Sequence, residues 1–453
     1  MKTLIQGIIS SVILIVICTP TIANELLPQS AFLGLAPVSA ENENNVVIRA
    51  LHPAGTGQAL GLAIGDSLVS VNQQPTKDFS TLLEQLKHIH TGDQLKVKVI
   101  RNKQTLELSA KAIGKPKEKG NGFTVDYSAF EWQQERIRTI SYDPNKPRKD
   151  GAAVFFIQGY TCDSIDYGMH PNLSINQLLG SFAQAGFSVF KMEKPGVGES
   201  KGQLSCDQYD FLVENDAFKA GIAHFKQQKG VNPDNLFVFG HSLGVLHAAL
   251  IAEQGSAKGV IGYGGVLKSW HDYLQDIYTK QSVKYWGISK EQASRNSALL
   301  SPLLHDWLKT NKPWQQVVDS NKQAINSNLI NVNAEQVFDR HYSFFHSVNQ
   351  LPFKQLWQQS KSHTLMLHGT YDIQAIEEDW AKQITQLVNE NTTLTAEYKI
   401  FDRTDHSLMI FNNKTDLLKA TSREVNDLGT FNEDIPEVAL RWMQQHLTPK
   451  ATK

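Results

Sequence analysis

Hydrophobic and polar positions change their spacing twice along the chain, and these changes divide it into three parts. Over residues 30–112, apolar residues mostly alternate as in strands, and residues 79–89 repeat them at helical spacing. Residues 113–122 carry glycines, a proline and charged residues, which is typical of a linker. Over residues 123–449, strand-like runs alternate with helical segments. This last pattern predicts a largely parallel sheet covered by helices.

Within the third part, residues 124–130 and 135–142 are predicted to form an antiparallel pair of strands. Residues 152–157 are almost entirely apolar, as expected for a buried central strand. Residues 268–361 then interrupt the alternation with a long helical pattern rich in Trp, Tyr and Phe. Most of these aromatic residues are expected to form the core of that insertion.

Composition and the N-terminus predict a location and exclude two classes of partner. The 44 basic and 45 acidic residues nearly cancel, so no field that would attract nucleic acid or anionic lipid is expected. Lys2, the apolar run 4–18 and the small residues Thr21 and Ala23 predict an export signal over residues 1–23. The mature protein would then be periplasmic or secreted, with no transmembrane segment. A signal retained as a membrane anchor stays an open alternative.

Removal of this signal, which contains Cys18, would leave only two cysteines, Cys162 and Cys206. An even pair of cysteines in an exported chain predicts one disulfide. Two unpaired buried thiols are the alternative.

Two stretches of the first part resemble the PDZ domains of bacterial envelope proteases. They are the sequence Ala-Phe-Leu-Gly-Leu at residues 31–35 and a Gly-Leu-x-x-Gly-Asp core within residues 53–66. The resemblance implies that an extended peptide or protein C-terminus adds a strand to the sheet of this domain. The carboxylate of that peptide would be held by the loop of Phe32, Leu33, Gly34 and Leu35. A packed domain without a peptide ligand is the alternative.

A serine lies between two glycines where an apolar run meets an Ala-rich helical segment. The sequence Gly-His-Ser-Leu-Gly occupies residues 240–244 and follows the apolar residues 237–239. This strand–turn–helix context favours a nucleophile elbow, in which Ser242 is raised above the sheet on a strained turn. Gly240 and Gly244 are expected there because a side chain at either position would clash across the turn.

Several motifs of the third part, taken in chain order, resemble those of the α/β-hydrolase superfamily. A Gln-Gly-Tyr loop at residues 158–160 follows the central strand, and a Gly-Val-Gly-Glu-Ser turn lies at residues 196–200. The superfamily's order of Ser, Asp and His is met by Ser242, Asp372 and His406. Ser242 would attack an acyl carbonyl, His406 would act as general base, and Asp372 would orient the histidine.

The resemblance also implies an α/β-hydrolase fold, with a mostly parallel sheet, flanking helices, and residues 268–361 as a helical cap. The oxyanion hole would consist of the backbone N–H groups of Tyr160 and Leu243. Many members carry His-Gly where this chain has Gln-Gly, but the donor is a main-chain group, so the change need not remove activity. A disulfide between Cys162 and Cys206 would stiffen this loop.

No metal or nucleotide cofactor is predicted, because the sequence lacks zinc-protease, clustered Cys/His, phosphate-loop and dinucleotide motifs. The features together predict an exported serine hydrolase that cleaves carboxylic esters or related acyl bonds of a small substrate and carries a PDZ domain. A serine peptidase acting on small peptides is the first alternative, since a module that holds C-termini would recruit peptides. A catalytically inert PDZ scaffold is the second.

Overall fold

The computed structural model of the protein describes residues 27–38, 46–200, 202–391, 393–423 and 428–448. The predicted export signal, residues 1–23, lies outside the described residues. Within the described ranges, no helix is both long enough and apolar enough to cross a lipid bilayer.

The N-terminal domain is an antiparallel sheet with two short helices. Its strands are β1 (Leu35–Val38), β2 (Val46–Leu51), β3 (Ser67–Val71), β4 (Gln74–Pro75), β5 (Gln94–Arg101) and β6 (Gln104–Lys111). Its helices are α1 (Thr56–Leu60) and α2 (Phe79–Leu86). The strands lie in the order β1-β2-β3-β5-β6, with β4 paired to β3, so β1 is an edge strand.

Alternation of residue types builds the core of this domain. In β5, Leu95, Val97 and Val99 are buried, while the residues between them are less buried or exposed. Helix α2 begins at Asp78, whose carboxylate accepts a hydrogen bond of 2.7 Å from the Thr81 amide. The strands and the helix expected from the sequence pattern therefore form in this domain.

The second domain begins with an antiparallel pair of strands and continues with alternating strands and helices. Its first strands are β7 (Phe123–Trp132), β8 (Glu135–Pro144), β9 (Ala153–Ile157), β10 (Ser188–Met192), β11 (Leu236–His241) and β12 (Gly259–Tyr263). The helices among them are α3 (Ser174–Gln184), α4 (Phe211–Phe225) and α5 (Gly244–Gln254), with short 3-10 helices at Cys206–Gln208 and Pro233–Asn235. The pairing of β7 with β8 confirms the antiparallel pair predicted from the sequence.

An insertion, here called the cap, follows β12 and is mostly helical. Its helices are α6 (Trp270–Asp276), α7 (Ser282–Trp286), α8 (Lys290–Lys309), α9 (Trp314–Ser320), α10 (Lys322–Ile325), α11 (Tyr342–Asn349) and α12 (Phe353–Gln358), with a π-helical turn at Ile277–Gln281. Three short strands, β13 (Val332–Asn333), β14 (Gln336–Val337) and β15 (Arg340–His341), form a small sheet that the helical pattern did not predict. Phe338 and Asp339 both have positive φ and make the tight turn between β14 and β15.

The chain then returns to the large sheet and ends on a helix. The remaining strands are β16 (His363–Gly369), β17 (Ala396–Phe401), β18 (Met409–Ile410) and β19 (Thr430–Phe431). The remaining helices are α13 (Asp379–Asn389), α14 (Lys414–Thr421) and α15 (Asp434–Gln445).

The large sheet has eight strands in the order β17-β16-β12-β11-β9-β10-β8-β7. The strands from β17 to β10 are parallel, and β8 and β7 extend the sheet in antiparallel fashion. Two apolar clusters that include residues of the sheet and its helices form the core. The strand order reverses direction between β9 and β11, and the carboxyl ends of parallel strands at such a point are where α/β proteins build their sites.

The segment predicted as a linker is anchored to the second domain. Glu118 is buried, and its carboxylate lies 2.7 and 3.0 Å from the Nζ atom of Lys191, a fully buried residue of β10. The amide of Tyr167 donates to the same carboxylate at 2.6 Å. The contacts of Glu118 therefore hold the segment that follows the N-terminal domain against β10 and the loop that contains Tyr167.

Candidate active site

The elbow, residues 240–244, leads from β11 into α5. Ser242 has a φ of +57°, in the left-handed region, and its amide donates to the Tyr263 carbonyl at 2.9 Å. A Cβ at Gly240 would lie 2.5 Å from the Gly244 carbonyl oxygen, and one at Gly244 would lie 2.3 Å from the Ile157 carbonyl oxygen. Both glycines are therefore required by the close approach of backbone atoms, as the sequence predicted.

Asp372 and His406 lie together at the ends of two neighbouring strands, β16 and β17. His406 Nδ1 is 2.8 Å from Asp372 Oδ2, and the other carboxylate oxygen accepts the amides of Gln374 at 2.9 Å and Ala375 at 2.7 Å. Because an ionised carboxylate only accepts, Nδ1 carries the imidazole proton and Nε2 is free to take one. His406 Nε2 is buried and has no hydrogen-bond partner in the described part of the chain.

The charges of this pair stabilise each other. Burial acts to raise the pKa of Asp372, but the charge of His406 and its hydrogen bond outweigh burial and hold that pKa at about 2. Burial acts to lower the pKa of His406, but the Asp372 carboxylate raises it above its ordinary value. The carboxylate thus stays ionised, and the histidine is a stronger base than a free imidazole would be.

Two residues that were not predicted as site residues, Gly264 and His241, contact the Asp372–His406 pair. Gly264 has a φ of +66°, and a Cβ there would lie 2.8 Å from His406 Nδ1 and 2.9 Å from Asp372 Oδ2. His241 lies 2.8 Å from the His406 carbonyl through its Nε2 atom, which must therefore be the donor. Gly264 directly follows β12, and glycines are common after strands, so the sequence gives no signal that separates it from an ordinary turn residue.

The oxyanion loop, residues 158–163, follows β9. A Cβ at Gly159 would lie 3.2 Å from Ser242 Cβ and 3.4 Å from its Oγ, so this backbone runs against the serine. The predicted donors are the amides of Tyr160 and Leu243, and neither has an acceptor within the described residues. Tyr160, Leu243, Ser242 and His406 line one cavity. The structure thus brings the five predicted side-chain and backbone groups of Ser242, Asp372, His406, Tyr160 and Leu243 to one place.

Two protein families match parts of the chain. A family described as serine aminopeptidase, S33, matches residues 167–412, more than half of the chain, and this range contains Ser242, Asp372 and His406. The chain belongs to the S33 serine aminopeptidase family. A second family, described as PDZ domain, matches residues 31–112. These matches confirm the two predictions from the sequence, an α/β-hydrolase fold and an N-terminal PDZ domain.

Several solved structures resemble the chain at low sequence identity. Est1E from Butyrivibrio proteoclasticus with bound ferulic acid is 11% identical, and the match covers 65% of this chain and 96% of that one, with a TM-score of 0.41. Proline iminopeptidase from Mycobacterium smegmatis is 11% identical, with coverages of 71% and 98% and a TM-score of 0.42. A soluble variant of monoglyceride lipase from Saccharomyces cerevisiae is 14% identical, with coverages of 73% and 98% and a TM-score of 0.44.

A disulfide in the second domain joins the oxyanion loop to the segment before α4. Cys162 and Cys206 are bonded, with their Cα atoms 5.9 Å apart. Cys206 is buried, and Cys162 is half-buried. The bond closes a loop between positions separated by 44 residues, and that loop contains β10.

Two cavities of different size meet at Ser242 and His406. The larger has a volume of about 770 Å³ and lies toward the PDZ domain, where Phe32 of the predicted carboxylate loop forms part of its wall. The smaller has a volume of about 40 Å³ and lies on the cap side, where Trp270 and Tyr273 line it. The cleft is thus open toward the PDZ domain and narrow toward the cap.

The predicted carboxylate loop of the PDZ domain, residues 32–35, carries backbone donors that are unpaired in the described part of the chain. Within the described residues, the amides of Leu33 and Gly34 have no acceptor, and β1 pairs with β2 alone. Phe79 and Leu83, one turn apart on α2, are exposed apolar side chains. Leu33 is buried, whereas Phe32 and Leu35 are half-buried.

Proposed function

We propose that the protein is an exported serine hydrolase that cleaves carboxylic esters through an acyl-enzyme formed on Ser242. The observation that supports this most is the cavity shared by Ser242 and His406, where the buried His406 Nε2 atom has no hydrogen-bond partner in the described part of the chain and can take the serine proton. A serine hydroxyl is a weak nucleophile at its free pKa and needs an adjacent base of this kind.

The proposed reaction has two balanced steps. Ser242 Oγ attacks the acyl carbonyl and gives its proton to His406 Nε2, and the carbonyl oxygen becomes an oxyanion held by the Tyr160 and Leu243 amides. The C–O bond to the alcohol breaks, and the alcohol leaves with the proton from His406. Water then attacks the acyl-enzyme and gives a proton to His406, which returns it to Ser242 as the acid leaves. Asp372 stays ionised throughout and stabilises the imidazolium.

The smaller cavity favours an uncharged acyl group over an N-terminal aminoacyl group. Its walls include the apolar side chains of Leu246, Val266 and Trp270, and no carboxylate is among its lining residues within the described ranges. An α-ammonium group placed there would lose its hydration without gaining a counter-ion. Ester cleavage is therefore the first proposal for this chain.

A peptidase is the second candidate, and two observations favour it. The family that matches the chain is described as serine aminopeptidase. Asp163 lines the larger cavity and is exposed, and its carboxylate forms no ion pair within the described residues. A positively charged peptide terminus in the larger cavity could pair with it.

Labelling with a fluorophosphonate probe tests the nucleophile. We expect the purified protein to react with the probe and Ser242→Ala to lose all labelling. Ser407, which also lines the larger cavity, is the matched control, so Ser407→Ala should label as wild type does. Absence of labelling in the wild type would instead favour the inert PDZ scaffold.

A substrate panel tests the bond that is cleaved. We expect turnover of p-nitrophenyl esters and none of aminoacyl or peptide anilides. The reverse order of rates would replace the ester proposal with the peptidase one.

We further propose that the PDZ domain binds a peptide C-terminus along β1. The free amides of Leu33 and Gly34 suit a carboxylate, and the exposed side chains of Phe79 and Leu83 suit an apolar last residue. Fluorescence anisotropy with a peptide that ends in a free apolar residue should show binding, and the same peptide with an amidated C-terminus should not bind.

Export is a proposal that rests on residues 1–23 alone. N-terminal sequencing of the protein recovered outside the cytoplasm should begin at Asn24. An intact N-terminus in a membrane fraction would favour the retained anchor.

A further inference from the structure

Two buried cations hold consecutive carbonyl groups of the oxyanion loop. Lys194 Nζ donates to the Gly159 carbonyl at 2.8 Å, and Arg340 Nη1 donates to the Tyr160 carbonyl at 2.6 Å. The Lys194 side chain is 0% exposed and the Arg340 side chain 1%, so both charges have left bulk water completely. Burial of a charge is costly, and such a position calls for a reason.

The contact of Lys194 sets the direction of an oxyanion donor. The Gly159 carbonyl and the Tyr160 N–H belong to one peptide group, and the described chain has no cis peptide bonds. In a trans peptide group the C=O and N–H point in opposite directions. Because Lys194 holds the carbonyl on one side, the Tyr160 N–H faces the other way, and a cation on the carbonyl also polarises the N–H donor.

One carboxylate serves both cations. Arg340 Nη2 lies 2.5 Å from Glu214 Oε1, and Lys194 Nζ lies 3.1 Å from Glu214 Oε2. Burial acts to raise the pKa of Glu214, but the charges of Lys194 and Arg340 hold it at about 2. Burial lowers the pKa of the adjacent His247 to about 4, so His247 is neutral near pH 7.

This cluster therefore holds two positive charges and one negative charge. A purely structural ion pair would need only one cation for Glu214. The excess positive charge is satisfied by backbone carbonyls, which are those of Gly159, Tyr160 and Tyr209. Two of these three carbonyls belong to the oxyanion loop, so both cations of the cluster contact the loop that carries the Tyr160 amide.

The cap contributes one of the two cations. Arg340 lies on β15 of the cap, 180 residues away from Tyr160 in sequence, and its guanidinium packs 3.7 Å from the centre of the Phe344 ring. Arg340 therefore joins the cap to the oxyanion loop, and the Tyr160 ring also packs against Phe345 of the cap, with the ring centres 5.6 Å apart.

We infer that Lys194 and Arg340 are positioning residues of the oxyanion hole, which hold the Tyr160 N–H toward the substrate oxygen and tie that geometry to the cap. The inference rests on the proposed function, because the hole has a role only if Ser242 forms an acyl-enzyme. Neither residue contacts the reacting atoms.

Lys194→Met tests the inference, and Lys191→Met is its matched control. Both lysines are fully buried and lie three positions apart, but Lys191 is paired to Glu118 and contacts no carbonyl of the oxyanion loop. Loss of one oxyanion donor costs about 100- to 1,000-fold in kcat, so loss of its positioning should cost about 10- to 100-fold. We expect this fall in kcat for Lys194→Met with KM unchanged, and wild-type kcat for Lys191→Met.

A second measurement does not depend on activity. In the protein labelled with ¹⁵N-tyrosine, which has 12 tyrosines, the amide signal of Tyr160 can be assigned with Tyr160→Phe. We expect Lys194→Met to move this signal and Lys191→Met to leave it in place.

If Lys194→Met fails to fold, Arg340→Lys provides the second test. Lysine keeps the positive charge, but it lacks the planar guanidinium that binds the Tyr160 carbonyl and the Glu214 carboxylate at the same time. It should lose less kcat than Arg340→Met.

The outcomes separate the two proposals. An unmoved Tyr160 signal in folded Lys194→Met, or equal losses of kcat in the Lys191 and Lys194 variants, would overturn the positioning role. A moved Tyr160 signal in a protein that neither labels nor hydrolyses esters would support the anchoring and overturn the proposed hydrolase function.

Discussion

The elbow and the oxyanion loop deliver groups to the same cavity, but they are held in different ways. The elbow is fixed by close packing, since a Cβ at Gly240 or Gly244 would meet backbone atoms at 2.5 Å or less. The oxyanion loop is fixed by distant side chains, which are those of Lys194, Arg340 and Cys206. One region is restrained by the shape of its own backbone, and the other by charges and a covalent bond from elsewhere in the fold.

This difference between steric and ionic restraint explains which parts of the site can be recognised from the sequence. Steric restraint is visible because only glycine satisfies it, and the glycines stand beside the serine they serve. Ionic restraint is not visible, because lysine, arginine and glutamate are ordinarily surface residues. Structure is needed to show that these charges lie against the backbone of residues 159 and 160.

The largest effect is expected where both restraints stay intact and only the chemistry changes. In Asp372→Asn, the amide can still accept from the Gln374 and Ala375 amides, but its NH₂ group would face His406 Nδ1. His406 would then carry its proton on Nε2 and could not accept one from Ser242. We expect kcat for ester hydrolysis to fall about 10,000-fold with the fold preserved by circular dichroism. A loss below about 10-fold would contradict the role of Asp372.

The next effect breaks the restraint of the elbow. Gly244→Ala places a Cβ 2.3 Å from the Ile157 carbonyl, so the turn that carries Ser242 must move. A displacement of about 1 Å at reacting groups costs about 100-fold in rate, and we expect at least that loss in kcat. Gly180→Ala in α3 is the control, because its Cβ would lie 3.7 Å from the Phe123 ring, at ordinary contact distance. Equal activity of the two variants would show that the elbow is not sterically fixed.

Much of the fold can be predicted from the sequence because, as at the elbow, the residues that decide each element lie next to one another in the chain. The apolar run at residues 152–157 predicts β9, and the spacing of glycines and serine predicts the turn before α5. The small sheet of the cap was not predicted, because its turn uses Phe338 and Asp339, neither of them a glycine, at positive φ. Sequence patterns therefore predict those strands and turns whose conformation depends on neighbouring residues.

The charged interior could not be predicted, because each partner lies far away in the chain. Glu118 lies in a polar segment that was predicted as a linker, and its partner Lys191 is 73 positions away. Arg340 and Glu214 are separated by 126 positions. A lone charge in a polar stretch gives no sign of a distant counter-ion, so only the folded structure reveals the pair.

A smaller effect on rate is expected when the covalent restraint of the oxyanion loop is removed. In the double variant Cys162→Ala and Cys206→Ala, Lys194 and Arg340 still hold the loop, so we expect kcat to fall by less than about 10-fold. Unfolding free energy should fall by about 4 kcal/mol, because the unfolded chain regains the freedom of the closed loop. Urea denaturation and ester kinetics measure the two effects. A fall in kcat as large as that of Lys194→Met would mean that the disulfide positions the loop as much as Lys194 does.

The smallest effect concerns the charge around the base. His406 must be unprotonated to act, and its pKa is raised, so activity should be lost as pH falls through a value above that of an ordinary histidine. Burial raises the pKa of Asp405 to about 6, so its carboxylate is mostly ionised above that pH and helps to stabilise the imidazolium that Asp372 already faces. Asp405→Asn removes that charge and keeps an acceptor for the Ser407 and Met409 amides.

For Asp405→Asn we therefore expect the acid limb of kcat/KM to move to lower pH, with the plateau within about 2-fold of wild type. Asp402→Asn is the matched control, because it removes the same charge from a side chain that is 81% exposed, where solvent screens it. A shift to higher pH, or equal shifts in both variants, would show that the charge at position 405 does not act on the base. Such a result would leave Asp372 alone as the carboxylate that raises the pKa of His406.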